Sequence, residues 1–340
     1  MAKKKEVSMQ NLADKLGISK VTVSKALNGK DGVSQELREK ILQTAQEHGY
    51  TLPDYGERRT KKIGIIMSNR FGLGNEGEFY MRMYEKIINE LRNYSCSSIM
   101  MTPDRKSLAS DLRTINEMNI FDGLIFLGIL DKDVRKKMDA IELPKIYVDI
   151  YDRTNKSDSV VTENIYSSYE LTKHLIHMGH NDIGFVGTVG GTTSIMDRYL
   201  GYARGMMEKG LEIQEKWMLP DRDEDGNAVQ IQLPKELPTA FVCNCDETAF
   251  RLVKELENRG LHVPQDVSVV GFDDSIYAKM CSIPLTTVAV DTDEIGRITA
   301  KQMAKQVKNS KGKRGKVFRV MGNIVFRDSV RDLREVKTDI

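Results

Sequence analysis

The sequence predicts an α/β protein in which a small helical head precedes two lobes, each a parallel sheet wound on both faces by helices. Three observations carry this expectation. The first sixty residues hold three short helical patterns, each opened by a capping residue. From residue 63 onward, short apolar runs of strand length alternate with helical stretches, in two successive rounds. The charge is also divided along the chain. Residues 1–62 hold ten Lys and three Arg against eight acidic residues, whereas the rest holds 38 basic and 41 acidic residues.

At 340 residues the chain is too long for one compact core, so several domains are expected. A hydrophobic content of 40% with 29% charged residues excludes a disordered or membrane-embedded chain. No apolar run is long enough for a membrane span, and Met-Ala-Lys-Lys-Lys-Glu at the start has no apolar stretch behind it. Neither a secretory signal nor a membrane anchor is therefore expected. Four cysteines are too few to staple a chain this size, and are read as reduced thiols in a cytoplasmic protein. A basic head on a mildly acidic body suggests a polyanion-binding module, although a solvated lysine-rich terminus has the same charge.

Within the head, Ser8 is placed to cap a helix through Leu12, Ala13 and Leu16 that Gly17 ends. Ser19 caps a second helix whose Val23, Ala26 and Leu27 recur at helical spacing, and Asn28-Gly29 breaks it. Ser34 caps a third, with Leu37, Ile41, Leu42 and Ala45 on one face and Gly49 as its stop. Two short helices joined by a tight turn and buttressed by a third form a helix-turn-helix. If Val23, Ala26 and Leu27 face the core, Lys20, Val21, Ser24 and Lys25 face outward. Lys can reach guanine O6 and N7 in a major groove, and Val can touch thymine methyls. Thr22, Ser19 and Lys3 to Lys5 suit phosphates. Ser8 and Asn28 complete the candidate DNA-contacting set. An ordinary three-helix bundle with a polar surface is the plainer alternative.

The run from Gln10 to Gly29, with Ile18-Ser19-Lys20-Val21-Thr22-Val23-Ser24-Lys25-Ala26-Leu27-Asn28 at its centre, resembles the headpiece of the lactose-repressor (LacI/GalR) family of bacterial transcription regulators. In that family a hinge helix with an Ala-Arg-x-Leu core follows and wedges its Leu into the minor groove. The corresponding segment here, from Thr51 to Lys62, is shorter and lacks the motif, and Pro53 and Gly56 disfavour a helix. The expectation is an operator bent less than usual, with Arg58 and Arg59 as plain phosphate or minor-groove contacts.

In the body, the first round of strands is read at Ile63–Met67, Ser98–Met101, Gly123–Leu127 and Lys145–Val148, with a helix from about Glu78 to Asn93. A second round is read from Ser159-Val160-Val161, with a helix from Ile165 to Met178 and strands at 183–187, 239–242 and 267–271. Two doubly wound lobes leave a crevice between them, where such folds bind ligands. The family resemblance continues through His174–His180, Arg198–Tyr202, Val263–Asp274, Pro284–Val288 and Val325–Ser329. It implies two lobes of periplasmic-binding-protein type, with three crossings between them. The head is then 1–50, the linker 51–62, the first lobe 63–158 with 290–319, and the second 159–289 with 320–340.

The same resemblance puts Arg198 in the role of the arginine that grips the effector, a fork suited to vicinal hydroxyls or a carboxylate. It puts Asp246 in an effector-binding Asn-Asp pair whose Asn is replaced by Cys245. Asp273 ends a strand in Phe-Asp-Asp, Asp149 ends the last first-lobe strand, and Asn69 and Arg70 follow the first one. Phe79, Tyr80 and Tyr151 border these groups. Carboxylates, arginine and aromatics together suit a polyhydroxylated ligand. One departure stands out after Trp217. The acidic stretch Asp221–Asn227 is too short for the family's next helix and lacks its stacking aromatic, so Trp217 is expected in the core, and the ligand is more polar than a simple sugar or is absent.

Gly72-Leu73-Gly74-Asn75-Glu76-Gly77 imitates a dinucleotide-binding loop, but four residues separate it from the strand that should run into it. His174, His177 and His180 have no carboxylate or Cys to complete a zinc set, and Cys243-x-Cys245 has no second pair. The basic stretch Lys308 to Arg319 reads as a solvated loop. No metal, no cofactor and no catalytic constellation is expected. The reading is a homodimeric, cytoplasmic, sequence-specific repressor of carbohydrate-utilisation genes. It binds double-stranded palindromic DNA and no membrane, and a sugar or sugar derivative controls it. The alternatives are a regulator governed by a protein corepressor, or a ligand-binding or enzymatic α/β protein with a basic attachment.

Overall fold

The computed structural model describes residues 8–27, 32–48, 50, 60–68, 77–103, 106–107, 110–111, 113, 115, 120–130, 132–152, 156–224, 226–309 and 314–334. The chain forms two units, Met1–Thr60 and Lys61–Ile340. In the first, α1 (Met9–Leu16) opens on a capping box. The Ser8 hydroxyl accepts from the Asn11 N–H, and the Asn11 side chain accepts from the Ser8 N–H. Gly17 closes α1 in the left-handed conformation at φ 64°, where a side chain would be strained. Ser19 then accepts from the Thr22 N–H at 3.0 Å and starts α2 (Lys20–Leu27). Ser34 does the same for α3 (Gln35–Glu47) through the Leu37 N–H. Leu12, Ala13, Val23, Ala26, Ile41 and Ala45 make the small core. Leu42, expected on the buried face of α3, is instead 43% exposed, because Ile41 and Ala45 already fill the narrow contact with α1 and α2.

The second unit begins at β1 (Lys61–Met67), so Lys61 and Lys62 belong to a strand rather than to the linker. Asp122 holds them there, accepting from Lys61 Nζ and from the Lys62 N–H, both at 2.9 Å. Next come α4 (Gly77–Asn93), β2 (Cys96–Met101), β3 (Gly123–Leu127), α5 (Lys132–Asp139), β4 (Lys145–Val148) and β5 (Asp158–Thr162). With β11 (Val317–Val320) they build a six-stranded parallel sheet in the order β11-β5-β4-β3-β1-β2. The segment 158–162 therefore does not open the second lobe. Its backbone is paired on both sides by first-lobe strands, and the chain leaves only after Thr162. A short Ser-Val-Val run looks the same in either sheet, and pairing partners alone decide where it belongs.

The second lobe contains α6 (Asn164–His177), β6 (Ile183–Val186), α7 (Thr193–Glu208), β7 (Met218–Leu219), β8 (Ala240–Cys243), α8 (Asp246–Asn258), β9 (Ser268–Val270) and α9 (Ile276–Met280). Its parallel sheet runs β7-β6-β8-β9. Then β10 (Thr287–Ala289) pairs antiparallel with β12 (Asn323–Val325), and α10 (Thr292–Lys308) packs on α4 of the first lobe. No helix separates Trp217 from β8 among the described residues, and the Trp217 indole is buried with its N–H donating to the Glu236 carbonyl. Among the described residues no helix is long and apolar enough to cross a membrane.

The α6–α7 pair positions the crevice, and it depends on small residues. A Cβ on Gly201 would sit 2.2 Å from the Ile165 carbonyl and 2.8 Å from Ser168 Cβ. Gly201→Ala is therefore expected to force the helices apart and destabilise the body by about 1–3 kcal/mol. The loss would be read as a lower urea midpoint with the slope unchanged.

Candidate effector cleft and DNA-reading helix

Val23 and Ala26 of α2 are buried, while Lys20, Val21 and Lys25 are exposed, Val21 to 64%. An apolar side chain held that far into solvent on a helix otherwise faced with lysine and serine suits a groove carrying thymine methyls. Ser24 and Thr22 are half-buried, and Ser19 and Ser8 serve their helix caps. Asn28, Arg58 and Arg59 lie outside the described residues, as do Asn69 and Arg70 of the body.

In the second unit a cleft of about 590 Å³, open mouth included, lies at the carboxyl ends of the strands. Of the sequence-derived candidates, Phe79, Tyr80, Asp149, Arg198 and Asp273 line it. Arg198 is the hub. Its Nε donates to Asn164 Oδ1 at 2.9 Å, one terminal nitrogen to the Asn244 carbonyl at 2.6 Å and the other to Asp273 Oδ1 at 3.0 Å. The guanidinium carbon lies 3.8 Å from the Phe272 ring centroid, a cation–π stack. Burial pushes the Asp273 carboxyl above its ordinary value and Asp149 adds to this, against the pull of Arg198 and Arg82. Tyr80 donates its hydroxyl to Asp149 Oδ2 at 2.8 Å. Asp149, Asp273 and Asp274 all take positive φ, at 60°, 107° and 46°. Strain of this kind collects where strand ends must aim side chains at a ligand.

Two expected contacts are corrected. Asp246 is fully buried behind the cleft wall, accepting from the Thr287 hydroxyl at 2.5 Å and from the Ser275 N–H at 2.7 Å. Burial and the neighbouring Asp273 push its carboxyl up to about 8. Its neighbours Asn244, Cys245 and Glu247 reach the cleft instead. Tyr151 is turned away too, its hydroxyl donating to Asp197 Oδ2 at 2.9 Å across the two lobes. Glu78, Arg222, Ser275 and Tyr277 line the cleft and were not anticipated. Ser275 and Tyr277 directly follow Phe272-Asp273-Asp274, so the end of that strand was the available signal. Arg222 had none, because its place depends on the irregular path after β7. The histidines that imitate a metal site have other roles. His180 is buried between the Thr239 hydroxyl and the Arg331 carbonyl, and His174 packs on the Phe326 ring.

Arg222 is held from behind by Asp221, which is wholly buried and engages its Nε and one terminal nitrogen at 2.8–3.2 Å. Asp221 also accepts from Asn244 Nδ2, the Thr248 hydroxyl and the Thr188 N–H. Burial alone would raise this carboxyl, but the Arg222 bonds and charge, with Asn244 and Thr188, hold it well below its ordinary 3.8. A depressed carboxyl contributes stability that is present above its unfolded value and lost as pH falls through the folded one. Asp221→Asn, which strands the buried Arg222, is expected to cost about 3 kcal/mol at pH 7. Urea unfolding should show that gap shrinking at acid pH, below the ordinary 3.8.

Residues 8–52 match the lacI family of bacterial regulatory proteins, and residues 172–330 match a periplasmic binding protein-like domain. The transcriptional regulator RegA of Clostridium saccharobutylicum is 28% identical over 312 residues, covering 88% of this chain and 92% of the relative. The ribose operon repressor of Haemophilus influenzae is 27% identical, covering 89% and 92%. Among solved structures, the transcriptional regulator CelR–cellobiose complex has a TM-score of 0.68 at 22% identity, covering 95% of this chain and 100% of that one. The lac repressor dimer bound to operator and the anti-inducer ONPF has 0.66 at 20%, covering 96% and 100%. These relatives are named as transcription regulators, not as enzymes. A helix-turn-helix head and a two-lobed, cleft-bearing body are what the fold has in common with these solved structures, and the chain combines a head of the lacI family of bacterial regulatory proteins with a periplasmic binding protein-like domain.

Proposed function

We propose that this chain is a cytoplasmic, sequence-specific transcriptional repressor of carbohydrate-utilisation genes, controlled by a small sugar-like effector held in the cleft. The observation that carries this reading is one chain presenting both parts. A capped recognition helix displays Lys20, Val21 and Lys25 to solvent, and the body carries a preorganised polar cleft centred on Arg198. The relatives named as ribose operon and lac repressors, and the neighbour bound to cellobiose, support the same assignment.

One helix-turn-helix makes few base contacts, so two are set on a two-fold axis and read a palindrome. The homodimer supplies that axis. Lys20 and Lys25 reach base edges or nearby phosphates, Val21 contacts thymine methyls, and Ser19 and Thr22 lie against the backbone. Effector acts by binding one arrangement of the lobes better than another, which changes the register of the two heads.

Selection of genomic fragments by the purified protein at two salt concentrations tests the reading directly. The expected outcome is an enriched palindrome whose affinity falls with salt by about 0.9 log–log units per phosphate contact. Lys25→Ala should weaken binding to that palindrome by about 1–3 kcal/mol, while affinity for unrelated DNA changes far less. Arg198→Ala should leave operator binding in place and remove its response to effector, with ribose and cellobiose as first probes. An unchanged response would place control elsewhere, as for a protein corepressor.

A further inference from the structure

The charged groups of the cleft are unequally engaged. Among the described residues its lining holds four carboxylates (Glu78, Asp149, Glu247 and Asp273) but only two guanidiniums, Arg198 and Arg222. Both guanidiniums are bonded to the protein, Arg198 to Asn164, Asn244 and Asp273, and Arg222 to Asp221. Glu78 stands apart from this network. It lies in the first turn of α4. Its Oε2 is shielded from solvent and has no hydrogen-bond partner. The natural partner, Arg82 one turn further on, is directed across the lobes to the Asp273 and Asp274 carbonyls, at 2.9 and 3.1 Å.

A second group in the same cleft is equally unmet. Ser275 is 4% exposed, its hydroxyl has no hydrogen-bond partner, and although it stands at the N-cap of α9 its side chain makes no capping bond. A buried carboxylate oxygen and a buried hydroxyl left without partners are each costly to hold. A ligand that removed the remaining water without supplying donors would make that cost larger. A phosphate or carboxylate would add a further anion beside Glu78 with both lining guanidiniums already bonded. A neutral sugar could offer Glu78 a hydroxyl but would leave its charge uncompensated.

We infer that the effector is a small, hydroxyl-rich molecule bearing a protonated amine, of the amino-sugar or amino-polyol class, with its ammonium on Glu78 and a hydroxyl on Ser275. The inference rests on the reading of this cleft as the effector site. Ammonium on carboxylate is a charge-assisted pair, and the solvent-shielded Oε2 of Glu78 is placed to accept it. Glu78 is thus a specificity-determining residue, separating amine-bearing ligands from neutral and anionic ones.

The test uses the full-length protein at about pH 6.5, where an amine is protonated and a carboxylate ionised. Thermal shift and calorimetry compare glucosamine, glucose and glucuronate, then galactosamine, galactose and galacturonate. In at least one trio the amine should bind tenfold or more tightly than the parent sugar, and the uronate should not bind. Glu78→Gln should reduce that preference to near unity. Ser275→Ala should weaken amine and parent sugar by the same factor. Tighter binding of a uronate, an amine preference that survives Glu78→Gln, or no shift with any of the six overturns the inference. The effector reading itself fails only if a low-molecular-mass bacterial extract also leaves the melting temperature unmoved.

Discussion

The buried Arg198–Asp273 pair is the constraint from which the rest of the cleft takes its geometry. Arg198 is on α7 and Asp273 follows β9, so the pair ties a helix packed on one side of the second sheet to the end of one of its strands. Burying a guanidinium and a carboxylate together is unfavourable unless their remaining hydrogen-bonding capacity is met. Here Asn164, the Asn244 carbonyl and the Phe272 ring meet it, which fixes α6, the end of β8 and the end of β9 in one arrangement. The small residues of α7 follow from this. The hub sits at the α6–α7 crossing, where the Ser168 hydroxyl donates to the Arg198 carbonyl at 2.7 Å, so the two helices approach too closely for a side chain at Gly201.

Among the described residues, polar bonds cross between the lobes beside the cleft. Arg82 donates from α4 to carbonyls of the strained Asp273–Asp274 turn, and the Tyr151 hydroxyl donates to Asp197 on α7. Polar contacts of this kind are individually worth about a kcal/mol. A ligand with modest differential affinity can therefore shift the balance between lobe arrangements, which is what a regulated body requires.

Local patterns made the head legible. Each helix opens on a serine whose hydroxyl serves the third residue of the following turn, and Gly17 supplies the left-handed stop, so sequence and structure agree almost residue by residue. The two-lobed body was legible from its alternation of strands and helices, but not the lobe boundary. The 158–162 strand pairs with one 158 residues later in the chain, and its side chains carry no trace of that partner. Site residues divide in the same way. Arg198, Asp149 and Asp273 stood out because strand ends and a family motif marked them. Asp246 shared those marks, yet faces Thr287 and the Ser275 N–H rather than the cleft, since only the packing of β10 decides which way a first-turn carboxylate points. Ser275 and Tyr277 sat beside a recognised motif without a chemical signal of their own.

Groups that serve stability are satisfied within the protein, whereas groups that serve recognition stand partly open. Asp221 illustrates the first kind. Four partners surround it, and its carboxyl is held well below its usual range. Its neighbour Arg222 is thereby fixed as cleft wall rather than left mobile. Glu78 and Ser275 illustrate the second kind, and a fold selected only for stability would replace them with partnered or apolar residues. The positive φ angles at Asp149, Asp273 and Asp274 point the same way, since three non-glycine residues at strand ends are held in a conformation the backbone disfavours by about 1–3 kcal/mol each. Strained backbone and unmet hydrogen bonds meet in this cleft, as a site completed by a ligand requires.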